Sequence, residues 1–235
     1  MNSLVLVIFR KELRELRSTK TLLLTMLLYP LIIVAFLVRD YLVAAPMSEI
    51  LAQAELFVPF VGILLPLSVA GLLSMDSFVG ERSRRTIEPL LASPVSEREL
   101  FLGKVLSSLV PSLLITYVFV FGFIGALSMI EPTLIGVVLT VFIVVRIFWQ
   151  APVLALLSTC VVTVISSKVS YTRVAIQVAN YIIVGLVFLS FLEIRFFGDS
   201  FVSLVLVTSI FSVVDLVLLM LSNRFYKRDE LMRRM

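Results

Sequence analysis

Ten charges between Asp76 and Lys104, five acidic and five basic, interrupt a chain that is 60% hydrophobic. A mixed run of this kind pairs with itself, fixes register and presents a face to another protein. Three further ionisable residues stand within apolar stretches: Glu55, Arg146 and Asp215. Charges at membrane depth are expensive to leave unpartnered, which makes them functional candidates. The chemistry that is missing narrows the field. There is no histidine, and Cys160 is the single cysteine. Histidine acid/base catalysis, a histidine-bearing zinc site and an internal disulfide are therefore excluded. Cys160 lies in an apolar run and reads as a small packing residue. No paired-glutamate metal motif and no serine with an evident base occur, so an intramembrane enzyme has no constellation to work with. No catalytic, cofactor-binding or metal-binding residue is expected. The phosphate-binding pattern G-x-x-x-x-G-K-[ST] is also absent, so this chain is not expected to hydrolyse ATP.

The elements that position these charges are apolar. Mean hydropathy is +1.11, and 15% of residues are charged against ~25% in soluble domains. Six stretches approach or exceed the ~20 residues that cross a bilayer as a helix. They are 22–38, 54–75, 105–128, 134–166, 174–192 and 201–222. No water-facing stripe runs along them, and period-2 alternation is missing, which excludes a soluble bundle and a membrane barrel. The net charge of +4 does not imply a nucleic-acid partner; in such a chain basic residues record orientation. Residues 1–20, 76–104, 167–173 and 223–235 together hold 17 of the 20 lysines and arginines. The opposite connections hold only Arg39 and Arg195. This asymmetry places both termini and the charged loop in the cytoplasm.

Residues 3–17 are not a span. Leu6, Phe9, Leu13 and Leu16 line one helical face, away from Arg10, Lys11, Arg14 and Arg17. A helix of this kind lies in the headgroup layer. A cleaved signal peptide is the alternative; the long basic region and the acids Glu12 and Glu15 argue against it. The expected fold is thus all-α: six transmembrane helices preceded by an amphipathic interface helix, in one domain over 1–235. Its cytoplasmic parts are the interface helix 1–20, the loop 76–104 and the tail 223–235.

The fourth run is too long. Its 33 residues would make a helix of about 50 Å across a core of ~30 Å. Either 148–166 spans and 134–145 is an outer extension or a dip, or one helix crosses steeply tilted. In the first case Arg146 and Trp149 sit near the outer interface, where arginine snorkels, and Pro152 kinks the junction. An Arg146–Asp215 pair does not match in depth on this threading. Counted from the inner ends, Asp215 is about 10 Å deep and Arg146 about 30 Å. Asp215 is expected to face the bundle interior, bonded to hydroxyl, amide or water groups. Pro59, Pro66, Gly62 and Gly71 interrupt the second span and permit kinks or close helix contact.

Within the loop, Glu81 and Arg85 are four apart and can pair on a helix. Pro89 suits the first turn of a short helix over 89–92, and Ser93-Pro94 stops it. Ser96 and Glu99 form an S-x-x-E capping box. The helix it starts is expected to run through Leu100, Phe101 and Lys104 into the third span. Leu90 and Leu91 form an apolar bump on the short helix.

The run Gly80-Glu81-Arg82-Ser83-Arg84-Arg85-Thr86-Ile87-Glu88-Pro89-Leu90-Leu91-Ala92-Ser93-Pro94-Val95-Ser96, followed by Glu99-Leu100-Phe101-Leu102-Gly103-Lys104, resembles the cytoplasmic loop of type-2 ATP-binding-cassette (ABC) exporter permeases. Ser166-Ser167-Lys168-Val169, with Arg173 and Ala175, is similar to that family's connection between spans four and five. Phe9-Arg10-Lys11-Glu12-Leu13 is similar to the start of many such permeases. The family often has glycine before the threonine, where this chain has Arg85. The resemblance implies a transmembrane subunit in a prokaryotic cell membrane that moves a substrate out of the cytoplasm. It implies that the loop docks on a separate cytoplasmic ATPase subunit, present in two copies, which binds ATP and magnesium. It also implies a second permease chain, identical or homologous. The implied coupling residues are Glu81, Arg82, Arg84, Arg85, Thr86, Glu88, Pro89, Leu90, Leu91 and Pro94. Leu90 and Leu91 would be the buried anchors, and the charges would set register and brace the loop against the N-terminal helix. An ATP-independent secondary transporter or channel is the alternative; the inverted repeats that would favour it are not seen.

Overall fold

A computed structural model describes residues 3–20, 47–80, 96–130, 140–169, 171–197 and 200–225, with isolated positions between 24 and 35. Every element among them is helical. Helix α1 is Ser3–Ser18. The expected first span lies largely outside the described residues. Helix α2 (Met47–Ser74) runs directly into a π-helical turn, Met75–Gly80. Helix α3 is Glu97–Ile130. Helix α4 (Val141–Val145) leads through a second π-turn, Arg146–Gln150, into α5 (Ala151–Lys168). Helices α6 (Thr172–Phe197) and α7 (Phe201–Phe225) complete the bundle. Five helical stretches are long and apolar enough to cross a membrane: Pro59–Gly80, Arg98–Gly125, Ile143–Lys168, Arg173–Ile194 and Phe201–Leu221. They match the second to sixth expected spans.

Two boundaries differ from expectation. Asp76 belongs to the helical end of the second span rather than to the loop, because the π-turn carries the helix on to Gly80. The fourth run is one continuous helix from Val141 to Lys168, so residues 141–145 join the span itself. The irregularity there is a π-turn just before Pro152, in place of a simple kink. Proline has no N–H and its ring collides with the carbonyl one turn back, and a widened turn relieves both. Accordingly, the Ala151 N–H donates to the Arg146 carbonyl, five residues earlier.

Helices α2 and α5 form the centre. Their span windows are 78% and 61% buried, against 22% for α6 and 17% for α7, whose outer faces are therefore free to meet lipid. Between helices in lipid, close approach and hydrogen bonds replace the hydrophobic effect as the main source of attraction. Gly71 illustrates this. A Cβ there would collide with the Ile183 side chain of α6 and stand 2.8 Å from Ser158 Oγ of α5. The Ser158 hydroxyl in turn donates to the Leu67 carbonyl at 2.7 Å. Glycine and serine at these positions let three helices meet.

Helix α1 packs along the start of α3. Its most buried positions are Val5, Ile8 and Glu12, spaced three and four apart. The stripe expected to be the apolar face, Leu6, Phe9, Leu13 and Leu16, is only half-buried and flanks this contact. Gly103 makes the approach possible, since a Cβ there would lie 2.6 Å from Ile8 Cγ2 and 2.8 Å from Ile8 Cβ. Ile8 is branched at the crowded atom, so α1 must move if a side chain is added. Gly103→Ala is therefore expected to lift α1. Trypsin should then cut among Arg10, Arg14 and Arg17 several-fold faster in detergent. An unchanged cleavage rate would mean that α1 is held by other contacts.

Candidate functional site

The second stem of the charged loop begins with the expected capping box. The Ser96 N–H donates to Glu99 Oε2 at 3.2 Å, and the Glu99 N–H donates to Ser96 Oγ at 3.3 Å. Two of the helix's orphan donors are satisfied reciprocally. From there α3 runs unbroken into the membrane, and its inward face carries Leu100, Phe101 and Lys104, all buried.

Lys104 is fully buried. Its ammonium donates to the Ser77 carbonyl at 2.7 Å and to Ser77 Oγ at 3.2 Å. It also stands 3.6 Å from Glu12 Oε1 and 5.5 Å from the centre of the Phe78 ring. The Ser77 hydroxyl donates to Glu12 Oε2 at 2.9 Å. Ser77 lies in the last turn of its helix, where carbonyls lack intrahelical donors and a cation is favoured. One ammonium thus joins three elements: α1 through Glu12, the first π-turn through Ser77, and its own helix α3. Ile8, Phe78, Leu100, Phe101 and Val105 pack around the joint, with the Phe78 and Phe101 rings 6.4 Å apart. Beside it opens a cleft lined by the carboxylates of Glu12, Glu15 and Asp76 and the hydroxyls of Ser77, Ser107 and Ser108. Among the described residues no group of histidine, cysteine, aspartate and glutamate side chains is arranged to hold a metal ion.

At the other end of the bundle lies a second charged cluster. Arg146 donates from one terminal nitrogen to Gln150 Oε1 at 3.2 Å and from the other to Glu193 Oε1 at 3.2 Å. Gln150 Nε2 donates to Glu193 Oε2 at 2.8 Å. Arg146 is 3% exposed, so it does not snorkel as expected; an acid inside the bundle takes its guanidinium. That acid is Glu193, not Asp215. Depth accounts for the choice, because Arg146 and Glu193 stand about 33 and 31 Å from the α5–α6 connection at ~1.5 Å per residue.

Asp215 faces the interior as expected, at 2% exposure. Among the described residues neither of its carboxylate oxygens has a hydrogen-bond partner. A buried polar group without a partner is costly. Asp215→Leu is therefore expected to stabilise the chain by about 1–3 kcal/mol, read as a raised thermal midpoint in detergent. A lowered midpoint would place a partner for Asp215 outside the described residues.

Of the other sequence-derived candidates, Glu81, Arg82, Arg84, Arg85, Thr86, Glu88, Pro89, Leu90, Leu91 and Pro94 lie outside the described residues. Glu55 lies on α2, with its side chain also outside them. Sequence reasoning misses Glu12, Ser77 and Lys104 as one cluster, and misses Gln150 and Glu193. A buried lysine seven residues into a helix gives no local signal. Glu193 falls one residue beyond the apolar window that ends at 192.

The comparisons with known proteins agree with this layout. No curated protein matches the chain. The model of a family described as ABC-2 family transporter protein matches residues 6–194. That stretch begins in α1, contains the Lys104 joint and both stems of the loop, and ends just after Glu193. With five helical stretches fit to cross a membrane, the chain is a multi-pass membrane protein belonging to the ABC-2 transporter family.

Proposed function

We propose that this chain is the membrane-spanning permease subunit of an ABC exporter, driven by a separate ATPase docked on the 76–104 loop. In this reading α1 lies in the headgroup layer, and both termini and the loop are cytoplasmic. The short helix over 89–92 presents Leu90 and Leu91 to an apolar pocket on the ATPase. Glu81, Arg82, Arg84, Arg85 and Glu88 fix its register, with Thr86, Pro89 and Pro94 shaping the turn. Two ATPase subunits bind ATP and magnesium, and a second permease chain, identical or homologous, completes the pathway. The cell is prokaryotic, and the substrate leaves the cytoplasm.

The observation that carries this reading is the Lys104 joint. A docked loop can move a bundle only if its stems are stiff and tied to the spans. Both stems here continue as helix into spans, and Lys104 fastens one to the other and both to α1. A push on the loop would then reach α2 and α3 together. Concentration of lysine and arginine in the segments flanking this end supports its cytoplasmic placement.

The docking step is tested by Leu90→Asp combined with Leu91→Asp. Interface affinity concentrates in a few buried apolar anchors, so the ATPase is expected to co-purify at least tenfold less, by roughly 1.4 kcal/mol or more. Unchanged co-purification would remove these leucines from the interface.

A further inference from the structure

Both described π-turns carry a buried charged cluster, and they stand at opposite ends of the central α2–α5 pair. The first holds Ser77 of the Lys104 joint. The second holds Arg146 and Gln150, which close a ring of hydrogen bonds with Glu193 of α6. The α2 and α5 helices pack on each other more extensively than any other pair of elements here. π-turns are places where a helix departs from regular geometry and bends, and they gather at functional sites. The central pair is therefore a rod with a pliable segment at each end, and each segment is clamped by charge.

The depth of the outer cluster matters. At about 31–33 Å from the α5–α6 connection, it stands near the far limit of a hydrocarbon core ~30 Å thick. Deep in the core, separating an arginine from a glutamate would be prohibitive. Near the headgroups, water can take up each charge as they part. Closed and open forms are then close in free energy, because a buried ion pair gains little over its hydrated parts once desolvation is counted. Packing alone would be served better by apolar residues of the same volume.

We propose that the Arg146–Gln150–Glu193 ring is a clamp on the outer end of the bundle that opens during the transport cycle, with the α2–α5 rod carrying the motion from the Lys104 joint. This inference rests on the ATP-driven permease reading. When the clamp closes, the α4–α5 helix and the end of α6 are held together. When it opens, the second π-turn takes up the bend and the outer ends part.

Spin labels at Val141→Cys and Phe196→Cys, both exposed positions flanking the ring, report the separation of these ends. The chain, carrying Cys160→Ser, is placed in lipid nanodiscs with the ATPase that co-purifies with it. One short distance is expected without nucleotide, and an added longer one after trapping with ATP and vanadate. The Arg146→Met/Glu193→Leu variant packs its outer ends without charge and should keep the short distance after trapping, with the longer population lowered roughly tenfold. The exchanged pair, Arg146→Glu/Glu193→Arg, should bring the longer distance back after trapping. If the apolar variant does not fold, Glu193→Gln removes the charge while keeping hydrogen-bonding atoms and is measured the same way. A single unchanged distance in every chain, with the ATPase bound and hydrolysing, would overturn the clamp and leave docking intact. Failure of any ATPase to associate would strike the docking reading; a minor longer population in the native and exchanged chains without nucleotide, lost in the apolar chain, would still support the clamp, and its absence from all three would overturn it.

Discussion

Lys104→Met is expected to uncouple the protein: ATP turnover by the bound ATPase continues, and its response to transport falls roughly tenfold or more. The reason lies in what the ammonium leaves behind. Glu12 is 8% exposed and would lose the buried cation 3.6 Å away, keeping the more exposed Lys11 ammonium at 3.7 Å. The Ser77 carbonyl would lose a donor at 2.7 Å. Removing one partner of a buried ion pair costs about 3–5 kcal/mol, because the other charge stays desolvated. The easiest relief is for Glu12 to reach water, which means that α1 peels away from α3. The loop stems then lose their tie to each other while the spans stay in place. Lys104→Met/Glu12→Gln is expected to recover much of the loss, since the desolvated charge is gone and the introduced amide oxygen still accepts from Ser77. Lys104→Arg should not recover it, because a planar guanidinium does not fit a site shaped around a compact ammonium. The measurements are trypsin cleavage of α1 and ATP turnover in reconstituted vesicles. If the single and double variants lose equally, the desolvated Glu12 carboxylate is not the cause.

The chain reveals its local rules and conceals its long-range pairs. The S-x-x-E spacing at Ser96 and Glu99 predicts a capped helix running on into the third span, and the structure has it. The second to sixth spans follow from apolar length alone. A capping box and a hydrophobic run are written in adjacent residues. Glu12, Ser77 and Lys104 are separated by 65 and 27 positions, and nothing near any of them marks the others. The buried face of α1 is hidden for a related reason. Periodicity finds its greasiest stripe, whereas the fold buries the neighbouring one that carries Glu12, because Lys104 of α3 meets it there. The π-turns have no sequence signature; Pro152 announces a disturbance and not its form. Depth counting from the inner ends correctly separates Arg146 from Asp215. It misses Glu193 because the expected fifth span ends where apolarity ends, one residue short of a charge that the bundle buries.

Arg146→Met alone is expected to be among the most damaging substitutions in the spans, by about 3–5 kcal/mol, read by thermal unfolding in detergent or nanodiscs. It leaves the Glu193 carboxylate buried, with Gln150 Nε2 as its remaining donor among the described residues. Glu193→Leu alone should cost a similar amount, since the guanidinium is then held by Gln150 Oε1 with its charge uncompensated by Glu193. The two losses should not add. In Arg146→Met/Glu193→Leu neither charge of this pair is left without the other, and exchange of a buried pair for apolar residues of similar volume is commonly neutral or stabilising. Gln150 then loses both partners, so the triple variant with Gln150→Leu should be the most stable of the series. Strict additivity of the single variants would mean that water or headgroups already reach the pair in the closed form. A triple variant that is stable yet fails to respond to the ATPase would show that the three polar residues are retained for their ability to separate.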